Sequence, residues 1–186
     1  EPAIGPFMPS FYWTNKSLQA YDYSPQKAKD LLKEAGWTDS NGDGLVDKDG
    51  KALELSLLTY PNRPGLPPMA EAIAGQLKEI GINVNSEVME SGAISERRKS
   101  GDWDLSLSAM STAMVADPSY YLSFSYQMGG SYNNAGYSNS RVDSLLKEAS
   151  GASNEEERLL MLNEVQGIIH DEVPIIDIAY YGVALA

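Results

Sequence analysis

The sequence contains no cysteine, so neither a disulfide framework nor a thiolate metal site is open to it. Histidine is almost as scarce: the single one, His170, has no second imidazole with which to build a tight transition-metal site, and near the end of an amphipathic helix it reads as a surface or helix C-terminal partner. Cations are few, with 14 Lys and Arg against 26 Asp and Glu for a net charge of -12. Only Arg97, Arg98 and Lys99 run together, and they read as the solvated end of a helix, so a nucleic-acid partner, which needs clustered positive charge, is excluded. No apolar run approaches the roughly 20 residues of a membrane span. There is no signal peptide, and the chain starts at Glu1 instead of Met; it is expected to be a processed or excised piece, with any membrane anchor in a missing N-terminal part. No serine sits in a G-x-S-x-G elbow, His170 has no evident nucleophile, and the carboxylates are too scattered to make a working pair, so no catalytic residue is nominated.

What is present is the composition of an ordinary globular protein, 42% apolar and 22% charged over 186 residues, enough for one sizeable core and one domain. Residues 1–23 mix Pro2, Pro6 and Pro9 with Phe7, Phe11, Trp13 and Tyr21 in no sustained period, and read as an extended lead-in anchored by aromatic rings. Ser24 can cap the helix that Pro25 opens; Ala28, Leu31, Leu32 and Ala35 fall on one face, and Gly36 stops it. Leu53, Leu55 and Leu57 alternate with Glu54 and Ser56 before Leu58-Thr59-Tyr60 runs on, as in a strand buried more deeply at its end. A helix with Met69, Ile73, Leu77 and Ile80 on one stripe, closed by Gly81, leads to a second strand through Ile82, Val84 and Val88. Strand, helix, strand is a βαβ unit and implies a parallel pair.

The alternation continues. A short helix from Ser91 or Gly92 to Lys99, ended by Gly101, precedes a third strand with Leu105, Leu107 and Ala109. Asp117-Pro118 starts a helix on which Tyr121 and Phe124 are expected in the core, and the glycines and asparagines of 127–139 make a loop. Asn139 or Ser140 begins a helix bearing Val142, Leu145, Leu146 and Ala149, and Ser153 with Glu156 spells a capping box for a longer one through Ile169. Pro174 to Val183 has the length and β-branched content of a last strand.

Between the first helix and the first strand lies an acidic glycine loop. Counted from Asp39, oxygen-bearing side chains stand at positions one, three, five and nine (Asp39, Asn41, Asp43, Asp47), with glycine at six, as in most of an EF-hand calcium loop. Position twelve, where a bidentate Glu belongs, is Gly50. Two readings stay open: a cation site, within a calcium-stabilised surface interaction module, or a bare acidic turn whose Asp side chains bond their own backbone.

The runs YSPQKAKDLLKEAGW, MAEAIAGQLKEIGINV, WDLSLSAM with ADP, NNAGYSNSRVDSLLKEA and NEEERLLMLNEVQGIIHDEVPII follow one another in an order that resembles the bacterial extracytoplasmic solute-binding proteins of family 5, the peptide- and nickel-binding receptors of ABC importers. The resemblance implies an α/β, periplasmic-binding-protein-like lobe with a mixed, mostly parallel sheet flanked by helices. It further implies that residues 1–186 are the single C-terminal lobe of a two-lobe receptor, with 1–23 near the hinge. Such a protein is a monomer in the periplasm, or at the cell surface as a lipoprotein. It encloses a small peptide or metal chelate and delivers it to a permease. In peptide-binding members an acidic residue four positions before the proline of the Asp-Pro motif holds the ligand's amino group; that place is Met114 here. In the nickel-binding type an aromatic pair precedes the motif, at what are here Thr112 and Ala116. Neither signature is present.

In α/β sheets ligands meet the loops beyond the carboxyl ends of strands, which here are 59–68, 110–118 and 126–139. From these come the ligand-binding candidates: Tyr60, Asn62, and Arg63 as a cation for a ligand carboxylate or a merely solvated residue; then Met110, Thr112, Met114 and Asp117, the last also a plain helix cap. Tyr132, Asn133 and Asn134 complete the set from the glycine loop.

Overall fold

The computed structural model describes residues 2–180. They fall into two units: Asp22–Met110, and the described residues of Glu1–Tyr21 with Ser111–Ala186.

In the first unit α1 (Pro25–Glu34) starts where Ser24 accepts a hydrogen bond from the Lys27 N–H at 3.3 Å and Pro25 fills the first turn. The apolar face expected of it is present but not buried: no residue of α1 is buried, and Leu31 is 54% exposed. The acidic loop then closes through a short antiparallel hairpin, β1 (Asp47–Lys48) and β2 (Lys51–Ala52), which the sequence reading had not distinguished from a loop. Asp49 and Gly50 turn it with φ of 53° and 74°, the paired positive values a tight hairpin needs.

The βαβ unit is as expected. β3 (Glu54–Thr59) and β4 (Asn83–Val88) pair in parallel from Glu54 opposite Asn83 to Thr59 opposite Val88, joined by α2 (Leu66–Glu79). After α3 (Ser91–Ser100), closed by Gly101 in the left-handed region, β5 (Leu105–Ser106) adds in parallel to the other side of β3, giving the order β4-β3-β5. The third strand is shorter than its alternation suggests. Past Ser106 only the Leu107 N–H to Leu58 carbonyl bond, 2.8 Å, continues the ladder. As the central strand, β3 has its last three residues, Leu57, Leu58 and Thr59, buried, and Leu57 packs with Leu66 and Ala70 of α2 and with Leu107. A lone alternating face would have sufficed for a sheet covered on one side; a consecutive buried run reports cover on both.

The second unit is helical: α4 (Pro118–Tyr126), α5 (Ser140–Gly151) and α6 (Glu155–Glu172). Asn139 caps α5 as expected. The cap of α6 is Asn154, whose Oδ1 accepts from the Glu156 and Glu157 N–H groups, so the Ser153–Glu156 capping box does not form. Asn is at least as good a cap as Ser, and a start one residue later places Glu155, Glu156 and Glu157 in the first turn, where the helix dipole favours them. Leu122, Val142, Leu146, Leu162 and Val165 form the core. The lead-in joins it, with Phe7 fully buried and Trp13 6% exposed. His170, at the end of α6, stacks on Tyr21 at 4.7 Å between centroids. The expected last strand is not formed over its described residues 174–180, which make one isolated bridge, Ala179 to Pro2; Tyr181, Gly182 and Val183 lie outside the described residues. Among the described residues no helix is long and apolar enough to cross a membrane.

Candidate functional site

An open groove of about 540 Å³ runs along one face of α4. Its floor is Tyr120, Ser123, Phe124 and Gln127, the i, i+3, i+4, i+7 set that shares one side of a helix. The opposite side carries Tyr121, Leu122, Ser125 and Tyr126, all buried. Helical spacing therefore divides the aromatics of this segment between core and groove.

Asp117 stands at the head of the groove. Its Oδ1 accepts from the Ser119 N–H at 2.8 Å, from the Ser119 hydroxyl at 2.6 Å and from Arg158 Nη2 at 2.5 Å. Burial works to raise this carboxyl, but the bonds from Ser119 and the Arg158 charge outweigh it and hold it below the ordinary carboxylate range. Asp117 is thus both the cap of α4 and half of an ion pair that ties α4 to α6.

The glycine loop is folded back onto α4. The Gly130 N–H donates to the Gln127 carbonyl at 2.9 Å and the Tyr132 N–H to the Phe124 carbonyl at 3.0 Å. A Cβ on Gly130 would lie 2.6 Å from the Phe124 oxygen and 2.7 Å from that of Ser123, so no other residue fits without moving the loop. This approach sets Tyr132 on Phe124 at 4.3 Å and 28°, and Phe124 in turn stacks on Tyr120 at 5.6 Å and 25°. The outer rings are open to solvent, Tyr120 at 51% and Tyr132 at 46% exposed.

Of the candidates in this unit, Asp117 lines the groove and Tyr132 extends its stack. Asn133 is occupied in holding the loop: its Nδ2 donates to the Gln127 and Tyr137 carbonyls and its Oδ1 accepts the Tyr137 N–H. Asn134 donates to the Tyr132 carbonyl. Met114 is exposed and Thr112 half-buried on the approach to Asp117. Phe124, expected in the core, does pack against it, yet also lines the groove. Val115, Ser119, Tyr120, Ser123, Gln127 and Gly130 were not among the candidates; the spacing of Tyr120, Phe124 and Gln127 was the available signal, obscured by the neighbouring core aromatics.

In the other unit, the Tyr60 hydroxyl is engaged by the segment that follows β5, accepting from the Ala109 N–H at 3.0 Å and donating to its carbonyl at 3.3 Å. Asn62, Arg63 and Met110 are exposed. The candidate metal residues do not gather: among the described residues no three Asp, Glu, His or Cys side chains are grouped as a metal would require. Asp39 accepts from the Gly42 and Gly44 N–H groups, Asn41 from Asp43, Asp43 from Leu45, and Asp47 from Ser40. The loop's acceptors serve its own donors. That arrangement is the one anticipated for an acidic turn that bonds its own backbone.

The elements define an α/β lobe of the periplasmic-binding-protein kind. Solved structures share it: the nickel ABC transporter protein of Bacillus halodurans superimposes with a TM-score of 0.82 at 26% identity, covering 94% of this chain and 36% of that one. The oligopeptide-binding protein AppA of Bacillus subtilis, solved in complex with a nonapeptide, gives 0.78 at 26%, covering 94% and 35%. Residues 1–133 match the family described as bacterial extracellular solute-binding proteins, family 5 Middle, and the chain belongs to that family. In sequence it is 32% identical to AppA over 155 residues, 83% of this chain and 28% of AppA. Identity to the nickel-binding periplasmic protein of Escherichia coli is 27% over 183 residues, 94% of this chain and 34% of that protein. The chain thus spans about a third of the length of these relatives. A calcium-stabilised interaction module, the second reading of the acidic loop, finds no support in these relationships.

Proposed function

We propose that this chain is the C-terminal lobe of the substrate-binding component of an ABC importer, and that it captures a small peptide or a metal chelate without catalysing any reaction. The observation that carries the reading is the α4 groove, an open, largely apolar trough with a few fixed polar groups, which is the usual make-up of a small-solute site. Family membership supports it, as do the relatives whose names specify oligopeptides and nickel. Thr112 and Met114 are the further contacts in the unit of the groove; in the other unit Asn62 and Arg63, exposed in their loop, offer a hydrogen bond and a positive charge to a carboxylate, with Tyr60 and Met110 beside them as candidates. Closure of a complementary lobe about a hinge completes the enclosure, and a permease receives the solute. The whole protein acts as a monomer outside the cytoplasm, in the periplasm or held at the cell surface by a lipid anchor.

Isothermal titration of the full-length protein with short peptides and with nickel–histidine tests this. Micromolar binding of either is expected, and weaker binding by this chain alone; no binding of any of them overturns the reading.

A further inference from the structure

If the chain is a solute-binding lobe, the character of its groove also specifies which part of the solute enters it. We infer that the α4 groove receives an uncharged aromatic side chain of a bound peptide and not the peptide's ammonium terminus.

Charge is the first argument. Asp117 is the only ionisable side chain with an acidic or basic role on the groove wall, and its charge is already matched by Arg158 at 2.5 Å, on a guanidinium side chain only 13% exposed. An incoming ammonium would have to compete with a guanidinium already fixed there, bonded to Asp117 and to the Ser119 hydroxyl at 3.0 Å and flanked by Glu155 at 3.6 Å. The remaining polar groups on the wall, Ser119, Ser123 and Gln127, are neutral.

Shape is the second. Tyr120, Phe124 and Tyr132 form one continuous ring stack whose outer members are about half exposed. Offset-stacked and edge-to-face contacts reward another ring more than an aliphatic or charged chain of equal area. Two of the stack's three rings are held in place. Phe124 is held by the core on one side, while Tyr132 is held by its N–H bond to the Phe124 carbonyl and by a glycine whose place no side chain can take. A preformed platform costs the ligand little ordering entropy.

The test is titration calorimetry on the full-length protein with tripeptides Ala-Xaa-Ala, Xaa being Phe, Leu or Lys, each with a free and an acetylated amino terminus. Nickel–histidine serves as an independent solute. The Phe peptide should bind about tenfold or more tightly than the Lys peptide, with acetylation changing neither the order nor the ratio, since one good ring contact is worth about a factor of ten. Tyr120→Ala, at an exposed position that leaves the core intact, should reduce that preference to under about threefold. Equal binding of Phe and Lys peptides, or a preference that survives Tyr120→Ala, overturns the inference while the solute-binding reading stands. So does binding of nickel–histidine with no binding of any peptide. Failure of every solute instead removes the reading on which the inference rests.

Discussion

The Asp117 carboxylate and the Arg158 guanidinium meet at 2.5 Å and join the first turn of α4 to the first turn of α6. Asp117→Ala removes a helix cap, worth about 1 kcal/mol, and leaves a guanidinium that is 13% exposed with only the longer Glu155 pair at 3.6 Å, for a total loss of about 2 kcal/mol. Asp117→Asn keeps the cap and should lose about half as much. Because the folded state holds this carboxyl below its ordinary value, its contribution is present above the unfolded pKa and is lost as pH falls through the folded one. Urea denaturation of wild type and Asp117→Asn from pH 7 down to pH 3 should therefore show the two curves converging at the acid end.

Gly130 sits against the Phe124 carbonyl with no room for a methyl group. Gly130→Ala should cost about 2 kcal/mol through overpacking and unstack Tyr132, read as a loss of near-ultraviolet circular dichroism and of solute affinity. Gly75, in the interior of α2 with open space around it, provides the contrast: Gly75→Ala should stabilise by about 1 kcal/mol. Equal effects at the two positions would contradict the packing argument.

Gln166 is fully buried on α6 and holds the lead-in by accepting the Asn15 N–H at 3.0 Å and donating to the Trp13 carbonyl at 2.9 Å. Gln166→Ala opens a cavity and strips two backbone groups of their partner, which predicts a loss of about 3 kcal/mol. Gln166→Leu refills the volume but not the bonds, and should recover less than half. Full recovery by Leu would show that volume, and not bonding, is what Gln166 supplies.

Burial pushes the Asp177 carboxyl up from 3.8 to about 6. A raised folded pKa means that the native state binds more protons than the unfolded chain between about pH 4 and pH 6, so stability is greatest below that window and declines as pH rises through it. The shift of about two units sets a ceiling of about 3 kcal/mol; because Asp177 is only half-buried, about 2 kcal/mol is expected at pH 7. Asp177→Asn should raise the melting temperature at pH 7, and its advantage should vanish at pH 4. A pH-independent difference would assign the effect to packing instead.

The sequence by itself determined the local chemistry. Ser24, Asp117 and Asn139 cap the helices they precede, Gly101 ends α3, and the run from Leu53 to Val88 is the βαβ unit its periodicities describe, because caps and side-chain periods act over a few residues. Family membership was legible for the same reason, through the order of such segments. The choice of Asn154 over Ser153 as a cap turned on one residue between two good candidates, and the two-residue hairpin 47–52 is too short to show a period.

Only the tertiary structure decided which polar groups are free. Asn133, Tyr60 and the acidic loop all read as ligand chemistry in one dimension; folded, Asn133 and the loop carboxylates also bond their own loops, and the Tyr60 hydroxyl bonds Ala109 beyond β5. Phe124 and Gly130 looked like core and turn, yet the return of the glycine loop onto α4 makes them a groove wall. Whether a side chain binds a solute depends on what is already bonded to it, and contacts such as that between Asp117 and Arg158, 41 positions apart, are made by packing, which no local pattern encodes.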